Sequence, residues 1–588
     1  MTDFFRLTPK KIFKLALAAV VILLLVLAFY AFKLLVKVNG NIKYLYNYTV
    51  ETQGSKPETY NPDALAGADA ETAYCTENTN PSNFVMQTYV SVGGKLVESY
   101  ERTEKISFTK DFLENFTSYE GMITFRGDYM RNMQAYGSVE LPEAEIDEEY
   151  WSYSTGKLLK SDGVNYWSGN GWTGQPLAVR WDEETKQSMN LFEAAKQKQD
   201  LVELIYTGMD GYIHFLDMET GEETRDAINV GMTFKGSASM HPEAPLLVCG
   251  SGDAQTGVFG EYVSARIFIY NLITGEKLYE YEEGEDFAPR NWHAYDSSPV
   301  FSPETDTLIY PGENGVVYSF KLNLAYDKAS GELAINPDEP VKFTYEAVTA
   351  AERIYAGEGG YGSEASAVVY DNYLFLGDNG GIFYCLDLNT MSFVWVQDLL
   401  EDVNSSPVFE IDGNGNKFIY VATTLKYHTD EHYLGDAVIY KLNAMTGEII
   451  WQKPYEVHTV SGLAGGVLST GVLGKGKISD LVIYSVSKVP EIDSGYIVAL
   501  DKETGKEVWR TGLDYYSWSS TSVLYDISGK VYLVQCCQDG NILLLDAENG
   551  EILDKLNFGT AIEATPAVYG NMLAVGTRNE KIIGLKIK

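Results

Sequence analysis

A chain of 588 residues exceeds what one ordinary hydrophobic core supports, so it is multidomain or a repeat array. Its composition, 45% hydrophobic, 13% aromatic and 22% charged, excludes global disorder and a polytopic membrane protein. With 45 Lys and Arg against 82 Asp and Glu the net charge is −37, which repels a phosphate backbone and argues against nucleic acid as a partner.

Leu15 to Phe32 is an uninterrupted apolar run without a charge. At 1.5 Å per residue it spans about 27 Å, close to the hydrocarbon slab, and Lys33 to Val38 extend it by snorkelling. Arg6, Lys10, Lys11 and Lys14 precede the run against only Asp3, and Lys33, Lys37 and Lys43 follow it. This mild positive-inside bias places the N-terminus in the cytoplasm. A cleaved signal peptide is the alternative, but the run is longer than a typical apolar core of that kind and no clear Ala-x-Ala site follows. The reading is a cytoplasmic tail at 1–14 and a transmembrane signal-anchor helix at 15–37. Everything downstream then lies outside the cytoplasm, and the acidic excess belongs to that outer part. Five cysteines, 75, 249, 385, 536 and 537, are too few and too odd in number for a disulfide framework.

Residues 38–120 read as a spacer and a small membrane-proximal element. Gln53 to Asn83 is rich in Thr, Asn, Glu, Gly and Pro, the composition of a flexible spacer. Residues 84–101 read as a hairpin with a Gly93-Gly94 turn, and 111–119 as a short helix capped by Thr109.

From residue 121 one phrase recurs, among its instances IFIYNLITGEKL (267–278), VIYKLNAMTGEIIW (438–451), YIVALDKETGKEVW (496–509) and ILLLDAENGEIL (542–553). Each is an apolar strand, an Asp or Asn, a turn ending in Gly and a further strand. The Asp or Asn bonds its own backbone and Gly supplies positive φ. A second strand ending in a Gly turn stands upstream, as in TLIYPGENGVV (307–317). Before that comes an inner strand opening on Gln175-Pro176, Ser298-Pro299, Ser406-Pro407 or Thr565-Pro566. The landmarks at 217, 271, 323, 387, 443, 501 and 546 recur with the period of a four-stranded propeller blade. With the C-terminal unit the count is eight. That last unit lacks a fourth strand, while EEYWSYSTGK (148–157) looks like an outer strand without its blade. Pairing it beside Lys581–Lys586 closes the ring and removes the exposed edges. Trp395, Trp451 and Trp509 share one place in their repeats, and Trp151 takes it in the closing strand; all four read as core residues.

The pattern of apolar strand, Leu-Asp, x-x-Thr-Gly and apolar-Trp resembles the pyrroloquinoline-quinone (PQQ) type β-propeller repeat family. That repeat is shared by quinoprotein alcohol dehydrogenases and by non-enzymatic relatives such as an outer-membrane assembly lipoprotein. The resemblance covers about residues 121–588. Phe125-Arg126-Gly127, with Arg131 and Gly137, looks like the lead-in segment of such propellers. The expected fold is all-β: an eight-bladed propeller of four-stranded antiparallel blades, closed between its N- and C-terminal strands, with an N-terminal transmembrane helix.

The dehydrogenases of the family imply a bound quinone, a Ca²⁺, an Asp base and often two adjacent cysteines. Cys536-Cys537 invites that comparison, but in YLVQCCQDG it reads as mid-strand, with side chains on opposite faces. No catalytic residue carries over position by position, so PQQ and Ca²⁺ enter only through the resemblance and none is expected. Asp412, Asn414 and Asn416 place oxygens at alternate positions, as Ca²⁺ loops do, but the acidic closing ligand is missing and an Asx-Gly hairpin competes. Gly474–Asp480 has a similar outline with lysines where ligands belong, and reads as a turn. His428, Asp430, Glu431, His432 and Asp436 cluster in an insertion whose Thr429, Tyr433 and Gly435 favour a loop over a zinc-binding helix. Arg126-Gly127-Asp128 spells an adhesion tripeptide but falls within the lead-in. No phosphate loop, nucleophile elbow or metalloprotease helix occurs.

An intact structural repeat without an intact catalytic set reads as a non-catalytic binding or scaffold module, tethered by one helix, for protein or cell-envelope ligands. The alternatives are a membrane-anchored PQQ-dependent oxidoreductase and a cell-wall polysaccharide-binding protein. Ligands are expected on the funnel face or blade-top loops, where insertions 324–362 and 423–436 project.

Overall fold

The computed structural model describes residues 59–170, 172, 174–256, 262–283, 287–347, 360–460 and 463–588. The expected anchor at 15–37 lies outside them. Among the described residues no helix is long and apolar enough to cross a membrane.

The eight repeats fold into eight blades around one axis. Their innermost strands are Leu177–Arg180, Ser239–Met240, Val300–Ser302, Val368–Tyr370, Val408–Ile411, Val472–Leu473, Ser522–Asp526 and Ala567–Tyr569. Each begins a meander of antiparallel strands running outward; blade 7, for example, continues through Val531–Cys536, Asn541–Asp546 and Ile552–Asn557. Blade 8 has three strands from the C-terminus, and its fourth is Trp151–Ser154, with Ser152 opposite Ile583 and Tyr153 opposite Ile582. The ring is sealed by the expected pairing, which supplies the outer strand that blade 8 lacks.

The repeated turn joins the third and fourth strands. In blade 6 the Asp501 carboxylate accepts from Thr504 N at 2.7 Å and Thr504 Oγ1 at 2.6 Å, and Gly505 N returns to Asp501 O at 2.8 Å. Asn443 and Asp546 set the same turn in blades 5 and 7. Gly505 has φ +69, which only glycine adopts without strain. In blade 4 Met391 occupies the corresponding place at φ +48. A one-residue bulge follows in blades 2, 4, 5, 6 and 7; the fourth-strand residue after it is Tyr279, Trp395, Trp451 and Trp509 in the first four and Asp554 in blade 7. Trp395, Trp451, Trp509 and Trp151 each reach the next blade. Their indole N–H groups donate to Ala444 O, Lys502 O, Ala547 O and Met218 O at 3.0, 3.0, 3.2 and 3.0 Å. In every case the acceptor belongs to the residue after the next blade's Asp or Asn landmark. The ring also lies flat on that turn's glycine, so each tryptophan is a blade-to-blade rivet as well as core filling.

The segment before the first blade runs through the axis. Glu120–Met122 pairs with the inner strand of blade 1. Ile123 O then accepts from Met240 N, Tyr129 O from Val369 N and Met130 O from Phe409 N. Arg126 donates to Gly471 O and Thr521 O, Arg131 to Ala367 O and Ser298 O, and Tyr136 N to Val568 O. One stretch thus bonds to the innermost strand, or the residues leading into it, of all eight blades.

Residues 59–83, expected as a flexible spacer, are laid against the propeller. Thr59–Tyr60 pairs with Trp451 and Gln452, Lys417 N donates to Ala68 O at 2.9 Å, and Val396 N to Thr79 O at 2.9 Å. The contacts use backbone groups and the small buried residues Ala64, Ala68 and Ala73, which composition alone does not reveal. The hairpin forms as Val85–Val92 and Lys95–Val97 and extends blade 3 outward. The Thr109-capped helix is short, Lys110–Glu114. All five cysteines are free thiols.

Candidate functional site

Alternating strand direction puts the turns between second and third strands, and the crossovers between blades, on one face. The remaining turns lie on the other. The lead-in closes the axis on that second face: Phe116 packs on Tyr129 at 5.0 Å, and Thr117 Oγ1 bonds Pro242 O in a blade 2 turn there. The first face is the open funnel. The insertion at 423–436 belongs to it, whereas the hairpin Ala325–Asp327 with Glu332–Ala334 lies on the closed face, against Asp182 through Lys328 at 3.1 Å. The expected insertion 324–362 is therefore divided: its 325–334 hairpin lies on the closed face, while its end returns to the funnel, where Asn379 N donates to Gly362 O at 2.8 Å.

On the funnel face, loops from blades 1 to 5 assemble a continuous polar arc. Lys235 lies 3.8 Å from Asp296, and its ammonium sits 5.3 and 5.0 Å from the Trp167 and Trp292 rings. Trp292 Nε1 donates to Glu313 Oε2 at 2.9 Å, and Arg290 pairs with Glu313 at 3.2 Å and donates to Asn379 Oδ1 at 2.8 Å. Asn379 Nδ2 donates to Glu364 at 3.2 Å and to Asp402 at 3.0 Å, and Lys426 closes the arc on Asp402 at 2.9 Å. Burial, reinforced by the charges of Glu313 and Asp402, pushes the Glu364 carboxyl up to about 8. Burial likewise lifts Asp296 to about 6, against the opposing pull of Lys235. Across the funnel Trp172 faces Trp518 at 6.1 Å, with Arg578 over Trp172 and 3.5 Å from Glu563. Glu313 and Asn379 stand in the repeated Gly turn that follows the second strand, whose regularity gave them no mark of their own, and apart from the insertion at 423–436 the others lie in crossover loops that no repeat phrase marks, so sequence reading passed them by.

The arc does not suit the quinone and Ca²⁺ of the dehydrogenases. Such a metal needs several carboxylate oxygens free to converge, and here Asp296, Glu313, Asp402 and Glu563 each face a lysine or arginine. Among the described residues no three His, Cys, Asp or Glu side chains are grouped to hold a metal ion. Cys536 ends its strand rather than sitting within it, and Cys537 opens the funnel-side turn. Their side chains are closed over, and burial pushes the Cys536 thiol up to about 12.

Asp412, Asn414 and Asn416 lie on the closed face, between the first two strands of blade 5. Asp412 Oδ1 accepts from Asn414 N and Asn416 N, and Oδ2 from Asn416 Nδ2, each at 2.8 Å. Partial burial works against ionisation there, but those donors hold the carboxyl below its usual range. The loop has the geometry of an Asx turn. His428 binds Glu401 at 2.6 Å while His432 is exposed beside Glu431, so the histidine cluster is a loop and not a paired metal site. Arg126 and Asp128 of the adhesion-like tripeptide are buried in the axis.

The family model described as "Outer membrane protein assembly factor BamB", a PQQ-repeat model, matches residues 493–588. A protein of that name from Yersinia pestis is 24% identical over 272 residues, which cover 39% of this chain and 65% of the relative, just under two thirds of its length. Among solved structures, BamB from Moraxella catarrhalis overlaps with a TM-score of 0.41 at 16% identity, over 70% of this chain and 96% of that one. Quinohemoprotein alcohol dehydrogenase from Comamonas testosteroni overlaps with a TM-score of 0.37 at 13% identity, over 81% and 82%.

Proposed function

Starting from a chain that fits the PQQ-like β-propeller family, we propose that it is a membrane-tethered, extracytoplasmic, non-catalytic module that binds protein segments through its funnel face. The observation that carries this reading is the arc from Lys235 to Lys426, where cations, carboxylates and tryptophan rings are fixed by one another. Such a surface offers paired charges and flat apolar faces to an incoming chain, the mixture that protein interfaces use. The relative named as an assembly factor supports the same direction, and in this reading the anchor expected at 15–37 holds the propeller at the envelope.

The test is affinity purification of the full-length chain from its own membranes in mild detergent, read by mass spectrometry. Trp292→Ala removes an exposed funnel aromatic, and Ile527→Ala alters an exposed apolar residue on the closed face. The reading expects envelope proteins whose recovery falls at least about fivefold with W292A and is unchanged with I527A. Equal recovery with both variants refutes it.

A further inference from the structure

The axis concentrates positive charge inside a strongly acidic chain. Arg126 and Arg131 are both fully buried. Their guanidinium groups are held by neutral acceptors: Arg126 by Thr521 O at 2.7 Å and Gly471 O at 3.0 Å, Arg131 by backbone carbonyls and Thr124 Oγ1 at 2.8 Å. Lys475 approaches from the closed face, its ammonium 3.0 Å from Asn132 Oδ1. Asp128 is the carboxylate that acts on all three of these cations, and its own oxygen accepts Asn132 N at 3.0 Å. Burial pulls Arg126 down to about 9 and Arg131 to about 10, because one carboxylate, Asp128, offsets only part of the cost of burying three cations.

A second observation points to what completes this site. Three buried donors around Arg126 have no protein partner: Arg126 Nε, Gln134 Nε2 and the Tyr484 hydroxyl. Arg126 and Tyr484 meet at Gly471, whose carbonyl takes one guanidinium nitrogen and on which a Cβ would lie 2.8 Å from the Tyr484 hydroxyl. Gln134 is joined to the same corner through Tyr525, 3.5 Å from its Oε1 and within electrostatic reach of Arg126. Donors without acceptors and cations in excess of anions are both costly in a low dielectric. Water would satisfy the first need alone, and a small anion satisfies both.

We propose that the propeller axis holds a buried site for a small inorganic anion of halide size, bound by Arg126 Nε, Gln134 Nε2 and the Tyr484 hydroxyl, with Lys475 marking its way in from the closed face. The ion would be a structural part of the ring, offsetting part of the excess of Arg126, Arg131 and Lys475 over Asp128 in the axis.

The experiment titrates chloride against gluconate at fixed ionic strength on the full-length protein in detergent, following the melting temperature. Chloride and bromide should raise it along a saturating curve. Tyr484→Phe should move the midpoint to about fivefold higher chloride, as loss of one hydrogen bond implies, and Arg126→Met should abolish the saturating part. Because R126M can also fail to fold, crystals grown in bromide give an independent readout: an anomalous peak beside Arg126 Nε. Identical melting in chloride, bromide and gluconate, or water density without an anomalous peak at that position, overturns the site.

Discussion

The tryptophan rivets can be weighed with three glycine-to-alanine substitutions that separate backbone strain from blade contact. Gly512 has no positive φ and nothing within 4 Å of an added Cβ, so Gly512→Ala should be neutral or slightly stabilising. Gly415 has φ +87 but open space, so Gly415→Ala should show only the left-handed penalty of about 1–2 kcal/mol. Gly505 has φ +69, and a Cβ there would lie 2.6 Å from Trp451 Cδ2. Gly505→Ala therefore adds about 1–3 kcal/mol of overpacking to the same strain, for a total of about 2–5 kcal/mol. The loss is local to the junction of blades 5 and 6, so hydrogen exchange is the suitable assay. At 1.36 kcal/mol per factor of ten, a 3 kcal/mol loss speeds exchange of the Ile449–His458 and Gly495–Asp501 strands by about 10²-fold. If G505A and G415A accelerate exchange in their own blades equally, the rivet contributes nothing and the reasoning fails.

The Glu364 carboxyl, raised to about 8 from an ordinary 4.5, gives a pH signature. The folded state holds the proton longer than the unfolded chain, so the stability tied to it is complete below pH 4.5 and is lost as pH climbs through 8. Glu364→Gln should flatten the fall in melting temperature between pH 5 and 8 and leave the variant the more stable protein at pH 9; parallel curves for the two proteins would contradict this. Thiol accessibility gives another check, because Cys75 is the one cysteine that is not buried. Native protein should react with a thiol reagent at one site, mapping to Cys75, and at five after denaturation. Rapid native labelling of Cys536 or Cys537 would mean that blade 7 opens far more than its packing implies.

Local chemistry made the ring readable from sequence. The Asp-x-x-Thr-Gly turn needs particular side chains at fixed spacing, and it announced Asp501 and Asn443. Trp151 announced itself as an outer-strand residue without a blade, which was enough to place the closure. Other features depend on groups that carry no such mark. Arg126 and Arg131 bond to backbone carbonyls hundreds of residues away, and any sequence supplies a carbonyl. The belt at 59–83 is held by main chain and alanines, so its polar composition imitated a free linker. The funnel arc draws Lys235, Arg290, Asn379 and Lys426 from four separate connections, and only the finished ring makes them neighbours. The face taken by the 325–334 hairpin followed from counting strands within a blade, not from its length.

The axial segment also has a consequence in time. Residues 120–154 leave the ribosome before any blade exists, yet their partners include Val568 and Ile583 near the far end of the chain. Until then the closing strand is an unpaired edge, and Arg126 gains its acceptors only when Gly471 and Thr521 are made, so the newborn protein must wait, incomplete, through the synthesis of more than 400 residues. The strands of blade 8, rather than the lead-in, then decide when the ring can close.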